Sequence, residues 1–272
     1  MTKSVITRED AMSTPDDDNA RTSAAGAQTL IRGLRVIEAL AVTTEPIGVG
    51  DLSRSLDLPK STVQRLLRTL DQVGWAEAVS VPITRWQLTP RLLSLAQSGT
   101  PARSLRDIAL PHLTALGYQT GETIHFCVPN GSEELVLIER IDSIHPVRTF
   151  NQIGAVSQMH NTASGKAWLS TLETAELDKF LQAPVVAMTD DSITDTEVIR
   201  AQVLQARELG YAVNLGENRP HVCAVGAVVI GADSKPLATV AISMPDSRFE
   251  AARVPEWGAM VAEAVAAIAR DF

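Results

Sequence analysis

Between Val49 and Leu70 the apolar positions follow a helical period, break once, and resume on a new stripe. Val49, Leu52 and Leu56 share one side of a short helix. Val63, Leu66, Leu67 and Leu70 share one side of the next, at spacings i, i+3, i+4 and i+7. Asp57 and Leu58 fill the gap, and Pro59 suits a first helical position, where a missing N–H costs nothing. An earlier stretch, Thr29 to Val42, places Leu30, Leu34, Ile37 and Ala41 on one stripe. After Gly74, the residues Trp75, Val79, Ile83, Trp86 and Leu88 lie around a polar break at Ser80 and Pro82, which predicts a two-stranded hairpin. Three short helices and a hairpin close one small core, so residues 26–88 are expected to form a winged helix-turn-helix domain.

The polar positions then acquire meaning. Opposite the leucines of the second helix stand Ser61, Arg65 and Arg68, flanked by Thr62, Gln64 and Thr69, with Lys60 in the first turn. Hydroxyl, amide and guanidinium groups in this pattern reach phosphate oxygens and base edges in a major groove. The N–H groups of the first turn can grip a phosphate. Lys60, Ser61, Thr62, Gln64, Arg65 and Arg68 are therefore candidate DNA contacts, and Arg85 on the hairpin is a candidate phosphate or minor-groove contact. A basic helical face taken alone is more often a solvated surface. The hairpin following at short distance is what favours double-stranded DNA as the partner. Charge points the same way. The chain carries −8, yet Gly26 to Gly99 holds eight Lys and Arg against six Asp and Glu, a local +2 that leaves −10 to the remainder. No carboxylate lies between Asp57 and Asp71. The acidic remainder would repel DNA and confine it to the N-terminal module.

Residues 89–100 read as a linker helix, with Leu92, Leu93 and Leu95 along Arg91 to Gln97, and Gly99, Thr100 and Pro101 mark a boundary. Residues 101–272 form the second domain. Its pattern predicts a helix over 102–117 and strands over 123–128 and 134–141 about the turn Pro129-Asn130-Gly131. A third strand is expected at 147–150, then helices over 161–172, 173–180 and 194–209, the last closed by Gly210. Strands over 223–230 and 237–243 and a terminal helix over 255–269 complete an α+β domain with a largely antiparallel sheet. Residues 1–25 are polar and poor in large apolar side chains, and read as a disordered tail. There is no apolar run of the ~18 residues that span a bilayer and no apolar signal core. Cys127 and Cys223 are the only cysteines, expected free and buried. A cytoplasmic protein with no membrane partner follows.

The runs LPKSTVQRLLRTL, WQLTP and MHNTASGKAWL, followed by LGYAVNLGE, CAVGAVVIG and LATVAISMP, resemble the IclR family of bacterial transcriptional regulators from about Gln28 to the C-terminus. The resemblance implies a GAF-like effector-binding domain behind the winged helix. It also implies a homodimer or dimer of dimers on a palindromic operator, and repression or activation of a catabolic or related operon. The effector would be a small organic acid or aromatic. The family's pocket segments map onto Met159, His160, Asn161, Glu217, Cys223, Ala224 and Ser243 as effector-binding residues. Two positions depart from the family's wording: Asn161 stands where alanine is common, and Val225-Gly226-Ala227 where Ala-Ala-Pro is common.

A small carboxylate needs a few converging donors in an apolar cup. The helix start after Asn161 and the hydroxyls of Thr162, Ser164 and Ser243 supply them, and the helix dipole favours an anion there. Capping of that helix by Thr162 or Asn161 is the equally good bland reading. Lys166 reads as a solvated helix residue, or one paired with an acid. No metal site and no cofactor are expected. His112, His125, His145, His160 and His221 show neither HxH nor HxxxH spacing. Two His-x-Cys pairs, His125 with Cys127 and His221 with Cys223, leave a Cys₂His₂ zinc site as the alternative. No catalytic residue is expected either; the rival reading is a small-molecule-binding or Cys/His enzyme domain in which Cys223 is the nucleophile and His221 or His160 its base.

Overall fold

The computed structural model describes residues 15–80, 83–97 and 105–272. The chain divides into two compact units, Met1–Pro101 and Ala102–Phe272. The calls on residues 1–14, on the hairpin tip at Pro82 and on the boundary at Gly99, Thr100 and Pro101 lie outside the described residues.

The N-terminal unit consists of α1 (Pro15–Ala41), α2 (Val49–Leu56), α3 (Lys60–Gln72), the antiparallel pair β1 (Ala76–Ser80) and β2 (Thr84–Leu88), and α4 (Arg91–Gln97). Its core is Val36, Leu40, Leu52, Leu56, Val63, Leu66, Leu67, Ala76 and Trp86. The turn between α2 and α3 needs one left-handed residue. Asp57 supplies it at φ 51°, and its N–H caps the carbonyls of Ser53 and Arg54. The Ser53 hydroxyl donates to Leu58 O at 2.6 Å and fixes the entry to α3. Ile47, just before α2, exchanges two backbone hydrogen bonds with Trp86, an isolated antiparallel bridge that ties β2 to the start of α2.

Two expectations for α1 change. The helix starts at Pro15, so residues 15–25, which read as a disordered tail, are helical. Their sequence, PDDDNARTSAA, puts proline and acids first and helix formers after, which composition alone does not distinguish from a solvated tail. The inward stripe is also different. Val36 and Leu40 are buried, while Leu30 is 65% exposed and Ile31 and Leu34 are 49% exposed each. The helix is apolar on more than one side, so periodicity cannot choose which side meets the core.

The C-terminal unit is built on a six-stranded antiparallel sheet in the order β5-β4-β3-β8-β7-β6. Its elements are α5 (Leu105–Thr120), β3 (Thr123–Asn130), β4 (Glu134–Ile141), β5 (Val156–Gln158), α6 (Ala163–Leu169), α7 (Thr174–Leu181), α8 (Thr196–Leu209), β6 (Ala212–Leu215), β7 (Val222–Ile230), β8 (Pro236–Pro245) and α9 (Val254–Asp271). The expected strand at 147–150 is absent. The edge strand β5 instead pairs with β4 at 156–158, and β6, unmarked by pattern, pairs with β7. Both are only three or four residues long, too short for alternation to show.

Strand alternation divides the sheet faces. Ile124 and Phe126 of β3, Val225, Ala227 and Val229 of β7, and Val240 and Ile242 of β8 pack with α5 and α9 into the largest core. The opposite face meets α6, with a second core around Leu135, Leu137, Met159, Leu169, Ile199 and Val203. Close approach there depends on two glycines. A Cβ on Gly165 would collide with the backbone of Met159, and one on Gly226 would lie 3.0 Å from the backbone of Ala163 and Ser164.

Candidate functional site

The outer face of α3 is open. Ser61, Gln64, Arg65, Arg68 and Thr69 are exposed and, with Gln72, border a shallow groove along the helix. Thr62 is half-buried, and Lys60 is exposed at the first turn. Among the described residues, none of Lys60, Arg65 and Arg68 enters an ion pair. Arg85 is exposed on β2 but already donates to Pro46 O at 3.2 Å. The Val63, Leu66 and Leu67 side chains fix the helix from below. A rigid helix with free guanidinium, amide and hydroxyl groups on one side has the chemistry of duplex recognition.

The C-terminal unit holds a cavity of about 380 Å³ on the α6 face of its sheet. Its floor is His125 and Cys127 of β3, Ala241 and Ser243 of β8, Ala224 of β7 and Asn214 of β6. Thr162, Ala163 and Ser164 at the start of α6 form one wall. Leu137 of β4, Asn151, residues 155–157, Met188, Asn218, Arg219 and Val222 form the rest. Among the described residues no carboxylate lines it. Arg219 is exposed and donates to Phe150 O at 2.8 Å, while Arg140 stacks on the Phe150 ring at 4.0 Å.

Of the seven expected effector contacts, Ala224 and Ser243 line this cavity. The other five are not among its lining residues. Met159 is fully buried in the second core. His160 is buried, with a ring nitrogen 3.1 Å from Val186 O; burial pulls its pKa below the usual value. Asn161 is fully buried, its backbone oxygen accepting from Asn214 Nδ2 at 2.5 Å, and its own amide has no partner among the described residues. Cys223 pairs across the sheet with Met244 and so faces the α5 and α9 side, one residue out of phase with Ala224. Glu217 is buried against Lys166, whose Nζ donates to both carboxylate oxygens at 2.5 and 2.7 Å. Lys166 is thus a fully buried cation rather than a solvated one, and burial lowers its pKa against the opposing pull of Glu217. The Thr162 hydroxyl caps its helix by accepting from Gly165 N at 3.0 Å and also lines the cavity, so capping and access coexist.

His125, Cys127, Asn151, Asn214, Asn218 and Arg219 were missed as cavity residues. For two of them a signal exists: Thr123, His125 and Cys127 alternate with the apolar Ile124, Phe126 and Val128, so a polar-leaning face was legible on that strand. The zinc alternative fails on the same alternation. His221 lies before β7 at φ 60°, strongly exposed and 2.7 Å from Asp246, while Cys223 points to the other sheet face from His125 and Cys127. Among the described residues there is no cluster of three or more metal-ligating side chains. Neither thiol is poised to ionise. Burial pushes Cys127 up to about 12 and raises Cys223 as well.

Residues 29–80 match the IclR helix-turn-helix domain, and residues 99–270 match the C-terminal domain of the bacterial transcriptional regulator IclR. The chain belongs to the IclR family. It is a DNA-binding transcriptional regulator with an effector-binding C-terminal domain. The IclR transcriptional repressor of Escherichia coli K12 is 29% identical over 239 residues, covering 87% of each chain. A transcriptional regulator structure from Rhodococcus sp. RHA1 covers 90% of this chain and 97% of that one, at 26% identity and a TM-score of 0.75. An IclR homologue of Microbacterium hydrocarbonoxydans, solved with 4-hydroxybenzoate, covers 89% and 98%, with 23% identity and a TM-score of 0.76. No helix among the described residues is long and apolar enough to cross a membrane.

Proposed function

We propose that this IclR-family chain is a homodimeric repressor that grips operator DNA through α3 and releases it when a small acid enters the cavity on β3, β8 and α6. The observation that carries the reading is the unpaired cationic face of α3: Lys60, Arg65 and Arg68 exposed in a chain of net charge −8. Arg65, with Gln64, Thr62 and Ser61, discriminates bases; Lys60, Arg68 and Arg85 neutralise phosphates. Repression is the activity named for the E. coli relative, and a ligand-filled homologue supports a ligand-responsive domain. The outward apolar face of α1, with Leu30, Ile31 and Leu34, supports pairing with a second copy. Two copies would set recognition helices about 34 Å apart, one turn of duplex. A repressor acting on operator DNA would do so in the cytoplasm. The two raised thiol pKa values support a role without Cys/His catalysis.

The test is fluorescence anisotropy of the full chain on duplexes from its own upstream region, across a salt series. Binding should fall steeply with salt, with a log–log slope near −0.9 per neutralised phosphate. 4-Hydroxybenzoate added as a first probe ligand should shift that binding if the cavity accepts aromatic acids. A pure folded sample that ignores every fragment at low ionic strength, with and without probe acids, ends the proposal.

A further inference from the structure

This inference rests on the effector role proposed for the cavity and concerns what the effector must look like. We infer that His125 is a specificity-determining residue whose Nε2 reads an uncharged hydroxyl or carbonyl group, and that the effector is a compact monocarboxylate carrying that group away from its acid. His125 sits on β3, a central strand, and lines the cavity beside Ala241 and Ser243, two small side chains. Its Nε2 is buried and has no hydrogen-bond partner among the described residues. A buried polar atom left unpaired is costly, and an arriving ligand group that pairs with it removes the cost.

The ring offers a hydrogen bond and not a charge. Burial, followed by Arg140 and Arg219 nearby, brings its pKa down to about 4, with Asp142 opposing weakly. Among the described residues the cationic side chain that lines the cavity is the exposed Arg219, where Nη1 donates to Phe150 O and the other donors stay available. With no carboxylate in the lining, the site matches one anionic group there. A second carboxylate at the His125 end would be desolvated against a neutral ring and small apolar side chains. A wholly apolar tail would leave Nε2 unpaired. The volume of about 380 Å³ admits on the order of a dozen non-hydrogen atoms.

Isothermal titration of the full chain with two matched series tests this: 6-hydroxyhexanoate, hexanoate and adipate, and 3-hydroxybenzoate, benzoate and isophthalate. In at least one series the hydroxy acid should bind about tenfold or more tighter than both partners. H125Q, whose amide reaches the Nε2 position, should keep that preference. H125N, whose amide stops at the Nδ1 position, should lose it, with both variants checked for cooperative melting. Arg219→Met should weaken all acids of a series by a similar factor and leave the preference intact. Equal affinity within each series, preference for the diacid, a preference surviving in H125N, or no binding of any of the six overturns the inference. Operator binding by the unliganded parent is measured in parallel; its loss counts against the regulator reading, while its presence beside any of these failures condemns only the ligand assignment.

Discussion

In the N-terminal unit Lys60, Arg65 and Arg68 stand in solvent without an acidic partner, whereas in the C-terminal unit Lys166 is fully buried and held by both oxygens of Glu217. The first arrangement costs little and leaves charge available to a polyanion. The second costs desolvation and is tolerable only while both partners remain. The same residue types therefore stand free at the surface of one unit and serve architecture in the other. Lys166 fastens α6 to the segment before β7, and that segment continues directly into Asn218 and Arg219 of the cavity wall. Thr189 and Ser192 hold its backbone from the other side, through hydrogen bonds to the carbonyls of Gly216 and Glu217.

The contrast breaks most visibly at the buried pair. Glu217→Ala strands an ammonium in the interior and should cost about 3–5 kcal/mol in urea unfolding of the C-terminal transition. Lys166→Met combined with Glu217→Leu should recover most of that loss. A cost for Glu217→Ala no larger than that of a surface change would show the pair to be ornamental. Next comes acid stability. Folded His125 takes a proton only near pH 4, whereas the unfolded chain takes it near 6.5. The unfolded state binds the extra proton in that window, so stability present above pH 6.5 is lost as pH falls toward 4, by up to about 3 kcal/mol. H125Q should flatten this slope in melting curves between pH 7 and 4.

On the exposed side the ledger reverses. Arg65→Ala should cost on the order of 1–3 kcal/mol of operator affinity if its guanidinium reads a guanine. Melting free energy should change by less than about 0.5 kcal/mol. An unchanged operator affinity would remove Arg65 from the interface. The smallest effect is expected at Arg85, whose guanidinium already serves Pro46 O. Arg85→Ala should weaken all duplexes about uniformly and reduce the salt slope by about 1, read from the same anisotropy series.

How much of this was legible depended on the range of the forces involved. The helix-turn-helix is a local object. Leu52, Leu56, Val63, Leu66 and Leu67 lie within sixteen residues, and the period that buries them also exposes Gln64, Arg65 and Arg68. The capping glycine of α8, Gly210 at φ 78°, and the paired strands β3 and β4 were local too. The cavity was not. Its floor joins β3 to β8 through pairs such as Thr123 with Ser243 and His125 with Ala241, more than a hundred residues apart. Two of the segments that the family resemblance offers, 158–165 and 217–224, border the cavity, while Cys223 lies one step out of phase with Ala224: in a strand, adjacent residues face opposite sides.

From its order of residues alone this chain determined two helices with inward leucines and an outward basic edge, because neighbours three and four apart must share a helical face. Tertiary structure alone decided that Lys166 meets Glu217 fifty-one positions away, that α1 turns Val36 rather than Leu34 inward, and that His125 is left uncharged with an unclaimed nitrogen. Those outcomes depend on which surfaces come together and how much water they exclude, and no periodicity within a single segment encodes that.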